Sequence, residues 1–232
     1  EKWHMTRIQE KLADHIVVLG YGTSGTEAVR ELIERGTDPH CLVVMDTNSE
    51  RLAHAEELGC NVIQADASRD VDLIAVRVDK ARAVLISAGR DDASILMVLT
   101  VRHLAPGVPI SVVIRADDNE LLARQAGASN VINPVRFAGL LLAGSAQGAH
   151  IADYLVDLAS VSGRVQLIER PVLPEEIGRP LSQLATGGHG LRVYREDASH
   201  GFWETESGTL QEGDIVVEIR PTAEMETAKA KR

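Results

Sequence analysis

Aromatic side chains are scarce in this sequence: Phe, Tyr and Trp together make up 3% of its 232 residues. Proteins that bind single-stranded nucleic acid stack bases on such rings, so the shortage argues against that class. Positive charge is short as well. With 24 Lys and Arg against 34 Asp and Glu, the formal net charge is −10, whereas binding a phosphate backbone needs clustered cations. No nucleic-acid partner is expected. Cysteine is limited to Cys41 and Cys60, with no Cys-x-x-Cys pair or Cys/His cluster beside them, so reduced thiols are expected rather than a disulfide or a zinc site. Cys41 is assigned to a buried strand and Cys60 to a helix-to-strand turn. Long apolar runs are lacking too. The longest weakly charged stretch, residues 137–152, is broken by Gln147 and His150, holds three glycines and falls short of the roughly 20 apolar residues of a membrane-spanning helix. No signal-peptide pattern opens the chain, and the sequence leaves open whether the residues before Met5 are native.

Recognisable catalytic machinery is lacking. No Gly-x-Ser-x-Gly elbow, His-Glu-x-x-His helix or Walker lysine occurs. The eight histidines are scattered: His15 precedes a strand, His40 begins one, His54 and His103 fall on helices, His189 and His200 in turns, and no pair has metal-ligand spacing. A dehydrogenase needs a proton-transfer group and a substrate pocket, usually from a substantial second domain. The chain is expected not to be an enzyme.

What is present is an alternation. Short Val/Ile/Leu-rich runs at 15–19, 41–45, 61–64, 83–87, 110–114 and 130–132 predict strands buried on both faces. Between them, helical spacing predicts helices at 23–35, 49–58, 70–76, 93–104 and 119–125. Ser49 and Asp70 read as N-caps, and Gly36, Gly59 and Gly127 as C-terminal residues of positive φ. The fold class is α/β: a Rossmann-like, doubly wound parallel sheet, followed by a crossover helix and a small α+β C-terminal domain. The expected segments are an N-terminal linker at 1–13, the nucleotide-binding domain at 14–134, a crossover segment at 135–160 built on one long helix over 135–158, the small domain at 161–222 and a flexible tail at 223–232. In the small domain, strands are expected at 165–169, 191–194 and 215–219, with turns at Gly187-Gly188 and Glu212-Gly213-Asp214.

The chemistry sits at the end of the first strand. Gly20-Tyr21-Gly22-Thr23-Ser24-Gly25 follows that strand and opens a helix, the context that makes a Gly-x-Gly-x-x-Gly match informative. Gly20 allows the tight turn, Gly22 lets phosphate approach the backbone, and Gly25 lets helix and strand lie close. Free N–H groups at the helix start attract phosphate, and the Thr23 and Ser24 hydroxyls add donors. Asp46 ends the second strand 21 residues after Gly25, the spacing of a ribose-binding acid. Capping of the next helix is the other role open to it. Thr47-Asn48 supplies no arginine for a 2′-phosphate, which favours NAD(H) or an adenine nucleotide (AMP or ADP) over NADP. Asp66 and Ala67, just past the third strand, lie on the same edge, where Asp66 either accepts from an adenine amino group or caps a helix. Arg115 after the fifth strand and Arg90 after the fourth compete for a second phosphate. Either is alternatively paired with Asp91, Asp92 or Asp117.

These residues resemble the RCK family, the regulators of potassium conductance (KTN or TrkA-N domains followed by a TrkA-C domain). The resemblance is carried by Asp14-His15-Ile16-Val17-Val18-Leu19 running into the glycine turn, then Ala65-Asp66-Ala67-Ser68, residues 84–92, Ile114-Arg115-Ala116, Ala126-Gly127-Ala128 and Val131-Ile132-Asn133-Pro134. In the second domain it rests on Ile177-Gly178-Arg179-Pro180-Leu181 and on Leu210-Gln211-Glu212-Gly213-Asp214-Ile215-Val216-Val217, so that it spans 14–221. It implies a cytoplasmic domain of a cell-membrane potassium channel. Such domains form homodimers through the crossover helix, assemble as an octameric gating ring, and convert ligand binding into a pull on the pore. The Asp14-His15 approach to the first strand looks like channel-attached members. It implies a pore in the same polypeptide, with Trp3, Met5, Ile8 and Leu12 in the linker. Thr23 stands where ATP-responsive members often have arginine. Ala88 and Ile114-Arg115-Ala116 stand where calcium-gated members have acids, so calcium is not the expected ligand. A free-standing Trk/Ktr-type subunit and, from another class, an NAD-dependent oxidoreductase are the alternatives.

Overall fold

Four apolar residues in a row, Ile16-Val17-Val18-Leu19, leave a strand with no polar face, and all four residues of β1 (Ile16–Leu19) are buried. In the computed structural model, which describes residues 12–148, 150–196, 198–204 and 208–222, β1 is central in a six-stranded sheet. Its neighbours are β2 (Leu42–Asp46) and β4 (Ala83–Ile86), flanked in turn by β3 (Asn61–Gln64), β5 (Ile110–Val113) and β6 (Asn130–Ile132), in the order β3-β2-β1-β4-β5-β6. Every pairing is parallel. Alternate side chains of β1 go to opposite faces. Val17 and Leu19 join a cluster with Val43, Met45, Val84 and Ile86, whereas Ile16 and Val18 join Val29, Leu42, Val44 and Leu52. The connecting helices are α1 (Thr23–Glu34), α2 (Ser49–Glu57), α3 (Asp70–Ala75), α4 (Asp91–Leu104) and α5 (Asp117–Gln125).

Helix ends follow local chemistry, with two corrections. The cap of α2 is Asn48, whose side chain accepts from Arg51 N, and not Ser49; α3 is preceded by Arg69 and lacks a side-chain cap. Ser49 and Asp70 are instead the first helical residues, where Asp70 favours the helix dipole. Gly36, Gly59 and Gly127 have φ of 91°, 88° and 106°, as expected for helix C-termini. Leu12, assigned to the linker, is 7% exposed and packs in the core. Trp3, Met5, Ile8 and the tail at 223–232 lie outside the described residues. Cys41 is exposed, because it closes a short 3₁₀ turn with His40 and precedes β2; Cys60 is buried.

The single helix expected over 135–158 is two, α6 (Pro134–Ser145) and α7 (Ile151–Ala159). Gln147 N and Gly148 N both donate to the Gly144 carbonyl and Ile151 N to that of Gly148, so the glycine-bracketed stretch closes on itself in turns. Glycine's conformational freedom makes continuing a helix there costly. By its internal contacts the chain divides into two units, 1–143 and 144–232. The second contains an antiparallel sheet of order β7-β10-β8-β9, formed by β7 (Val165–Pro171), β8 (His189–Arg195), β9 (Ala198–Gly201) and β10 (Ile215–Pro221). His189 and His200 therefore lie in strands rather than turns. The two sequence signatures of this unit are paired. Gly178 N donates to the Leu210 carbonyl and Leu210 N to that of Arg179, each at 2.8 Å.

His15 enters β1 only 1% exposed. Its Nε2 donates to the Val76 carbonyl at 2.8 Å, and its Nδ1, also buried, has no hydrogen-bond partner among the described residues. A second ring proton would have no acceptor. Burial lowers the pKa of His15 below 6.5, against the opposing pull of the Val76 carbonyl and Asp79. The unfolded chain therefore takes up this proton as pH falls through about 6.5 while the folded chain does not, and stability falls on acidification below that point. His15→Gln keeps a donor for Val76 and removes the titration. Its melting temperature is expected to fall less than the native protein's between about pH 7 and pH 5, and equal slopes would show that His15 does not carry the effect.

Candidate nucleotide-binding site

From β1 the chain runs to β2 and β3 on one side, then returns to β4 on the other. In open parallel sheets, ligands lie outside the carboxyl ends of the strands where the order reverses. The residues singled out from the sequence all follow such ends. The glycine turn follows β1, Asp46 closes β2, Asp66 and Ala67 follow β3, Arg90 follows β4 and Arg115 follows β5.

The three glycines differ in what demands them. Gly20 has φ of 92°, and a methyl on it would stand 2.5 Å from the Ser87 carbonyl oxygen. A methyl on Gly25 would stand 2.2 Å from the Gly20 carbonyl oxygen. Turn and helix packing therefore require both glycines. Gly22, at φ −82°, is under no such demand, since the nearest atom to a methyl there is Arg51 Nη1 at 3.9 Å. The protein itself leaves that space open. Gly22 is also the N-cap of α1, which has no side-chain cap and no acid in its first turn. By contrast, α2 to α5 each carry a first-turn acid. The positive end of α1, with the Thr23 and Ser24 hydroxyls on it, is thus left for an anion.

Asp46 is held in place by backbone. Its Oδ2 accepts from Tyr21 N at 2.7 Å and its Oδ1 from Asn48 N at 2.8 Å, so each oxygen keeps a lone pair. The helix cap is Asn48, so Asp46 does not have that role. Thr47 is exposed beside it. Tyr21 turns inward, 2% exposed, with its hydroxyl 3.1 Å from His54 Nδ1. Asp66 Oδ1 accepts from Ser68 N and Ser68 Oγ, and these bonds hold its carboxyl below the usual range. It forms a turn rather than a helix cap. Ala67 is buried.

Arg90 and Arg115 are not brought to one place in equivalent states. Arg90 is exposed and forked onto Asp92, the solvated pair foreseen as its alternative. The Arg115 Nη1 donates to the Ala88 carbonyl at 2.9 Å, laying its guanidinium across the end of β4. Asp91 fixes that loop by accepting from Arg115 N, Ala116 N and Asn119 Nδ2. Burial pushes its pKa up, but these bonds outweigh that and hold it low. Asp91 is therefore committed to backbone and amide donors.

One residue was not anticipated. Arg51 reaches the same crevice, its Nη1 3.9 Å from Asp46 Oδ2. The signal lay in Asn48-x-x-Arg51. Once Asn48 caps α2, Arg51 is in the first turn of a helix that begins at the site.

Comparison with known proteins agrees with this architecture. The TrkA-N domain model matches residues 16–134, a little over half of the chain. The chain is 31% identical over 134 residues to a putative K(+) efflux antiporter KefB of Alkalimonas amylolytica, covering 58% of this chain and 20% of that protein. It is 28% identical over 149 residues to a probable potassium channel protein 2 of Methanocaldococcus jannaschii, covering 62% and 42%. The chain thus spans less than half the length of these relatives. In structure it is similar to the GsuK channel bound to NAD, with a TM-score of 0.51 and 19% identity over 94% of this chain and 38% of that one, a likeness of fold. With the parallel sheet, the strand-turn-helix and the matched segment in agreement, the chain belongs to the TrkA-N domain family.

Proposed function

We propose that this chain is a non-enzymatic sensor of NAD(H) or an adenine nucleotide, acting as the RCK-type regulatory domain of a potassium channel. The observation that carries this reading is the open space at Gly22, bounded by an uncapped helix start and by Asp46. A glycine that the protein's own packing does not require is accounted for by a phosphate lying against its backbone. Pyrophosphate is then held on the first turn of α1 by Thr23 and Ser24, ribose by Asp46 and Thr47, adenine near Asp66 and Ala67, and the far phosphate by Arg115, with Arg90 at the rim. The family and the NAD-bound channel of the same fold support the assignment. Calcium is not proposed, since Asp91 is committed elsewhere.

A nucleotide shifts a pore only by the difference in its affinity for two states of the assembly. The assembly is proposed to be made of copies of this chain. On α6, Val135, Phe137, Leu140 and Leu142 are each more than half exposed, and no residue of α6 or α7 is buried. We place it as an octameric ring on the cytoplasmic side of the cell membrane, joined to a pore in the same polypeptide. The antiporter relative leaves a transporter as the second reading of the membrane partner.

Asp46→Asn retains one carbonyl acceptor but loses the charge, and is expected to bind NAD or ADP about tenfold more weakly by calorimetry, the value of one hydrogen bond to a charged group. Unchanged affinity at unchanged melting temperature would remove Asp46 from the site.

A further inference from the structure

The site as read from strand ends has one carboxylate at its ribose edge and no cation. The folded chain supplies one from a helix. The Arg51 guanidinium lies 3.9 Å from Asp46 Oδ2 and 3.9 Å from where a methyl on Gly22 would stand. At both distances it is beside the open space without being hydrogen-bonded into it, and its side chain remains 55% exposed. Both Asp46 oxygens already take one backbone N–H each, so the acid cannot swing away from the ribose position without losing those bonds. Alone, such a fixed carboxylate repels a phosphate on the ribose 2′ oxygen. A planar guanidinium beside it offsets that repulsion and offers paired N–H donors that match a phosphate.

We propose that Arg51 sets the ligand class at the ribose edge. The site accepts adenine dinucleotides both with a free 2′ hydroxyl, bonded to Asp46, and with a 2′-phosphate, bonded to Arg51. This rests on the nucleotide reading of the glycine turn and Asp46. It reverses the expectation that a site without arginine at residues 47–48 refuses the phosphorylated form. Arg51 lies five positions past Asp46, and α2 carries it back to the crevice.

The test is calorimetry of the chain with NAD, with NADP and with ADP, for the native protein and for Arg51→Ala, with melting curves as the control for folding. The native protein is expected to bind NADP within about tenfold of NAD. Arg51→Ala is expected to keep its NAD affinity within about threefold, as befits loss of an exposed ion pair, and to lose a further tenfold or more for NADP, as befits loss of a charge-assisted bond. If the native protein binds NAD but not NADP, or if Arg51→Ala weakens both dinucleotides alike or neither, the inference falls and the site stands. If the native protein binds ADP but neither dinucleotide, the inference falls and the site stands; if it binds none of the three, the site reading falls with it.

Discussion

Gly22→Ala should leave the protein folded and remove nucleotide binding, whereas Gly25→Ala, three residues on, should destabilise it. At Gly25 the added methyl would stand 2.2 Å from the Gly20 carbonyl oxygen. That atom is backbone in the turn leaving β1, so relief requires α1 to move off the sheet. Overpacking of this kind costs about 3 kcal/mol, more than the roughly 1 kcal/mol of helix propensity that alanine gains over glycine. A fall in melting temperature of several degrees follows, roughly 4–8 °C for a net loss of about 2 kcal/mol at this chain size. At Gly22 the φ of −82° suits alanine, and the nearest atom to its methyl would be 3.9 Å away. Stability should change by about 1 kcal/mol at most, the usual penalty for alanine at an N-cap. The methyl would, however, occupy the space where phosphate meets the backbone, and affinity for ADP or NAD should drop by at least about tenfold. Calorimetry and thermal melting on both variants decide the matter. If Gly22→Ala binds normally, the open space is not the phosphate site, and the chief support for a nucleotide sensor is lost.

That contrast also shows which parts of the molecule could be read from sequence. The central strands were legible because a parallel strand covered on both faces must be apolar throughout, as Ile16-Val17-Val18-Leu19 is. The edge strands β3 and β6, expected to be buried on both faces, carry Asn61, Gln64 and Asn130, have no buried residue, and were legible only by their place in the alternation. Gly36, Gly59 and Gly127 were legible because positive φ at a helix end selects glycine. The helix break after Ser145 was not, since the apolar pattern continues through Ile151-Ala152 while the turn depends on Gly144 and Gly148, residues that helices also tolerate. Nor was β9 (Ala198–Gly201), a short edge strand with little apolar content whose pairing to β8 is fixed by backbone bonds. In the site, residues at strand ends were legible because the fold puts every parallel strand's carboxyl end on one side. Arg51 was missed because its position depends on where α2 begins, and the cap was assigned one residue late.

The largest effect in the second unit is expected from Arg170→Leu. The unit's buried apolar cluster is small, consisting of Leu181, Leu184, Val193, Leu210 and Val216, and charge fills much of the remaining interior. Arg170 donates to both oxygens of Glu176, at 2.8 and 2.7 Å, and through Nε to Glu218 Oε1 at 2.9 Å. Both carboxylates are fully buried while the arginine is 14% exposed. Glu176 further accepts from Leu173 N and Ala185 N, and Glu218 from the Thr186 hydroxyl. Without the guanidinium, two buried carboxylates face each other with no cation, a change that costs about 3–5 kcal/mol. Hydrogen exchange followed by mass spectrometry should show the loss in β7, β8 and β10, with the parallel sheet unaffected. The pH dependence gives a second, independent reading. Hydrogen bonding from Arg170 brings the pKa of Glu176 from 4.5 to about 2, against the opposing effect of burial. In the native protein the stability tied to that shift is fully present above about pH 4.5 and is lost as pH falls toward 2. In Arg170→Leu, Glu176 loses the largest contact that lowers its pKa, so less of the variant's stability is lost on acidification. The stability gap between the two proteins should therefore narrow from about pH 6 to about pH 3. A gap that stays constant would mean that the arginine acts by packing its stem rather than by neutralising the two glutamates.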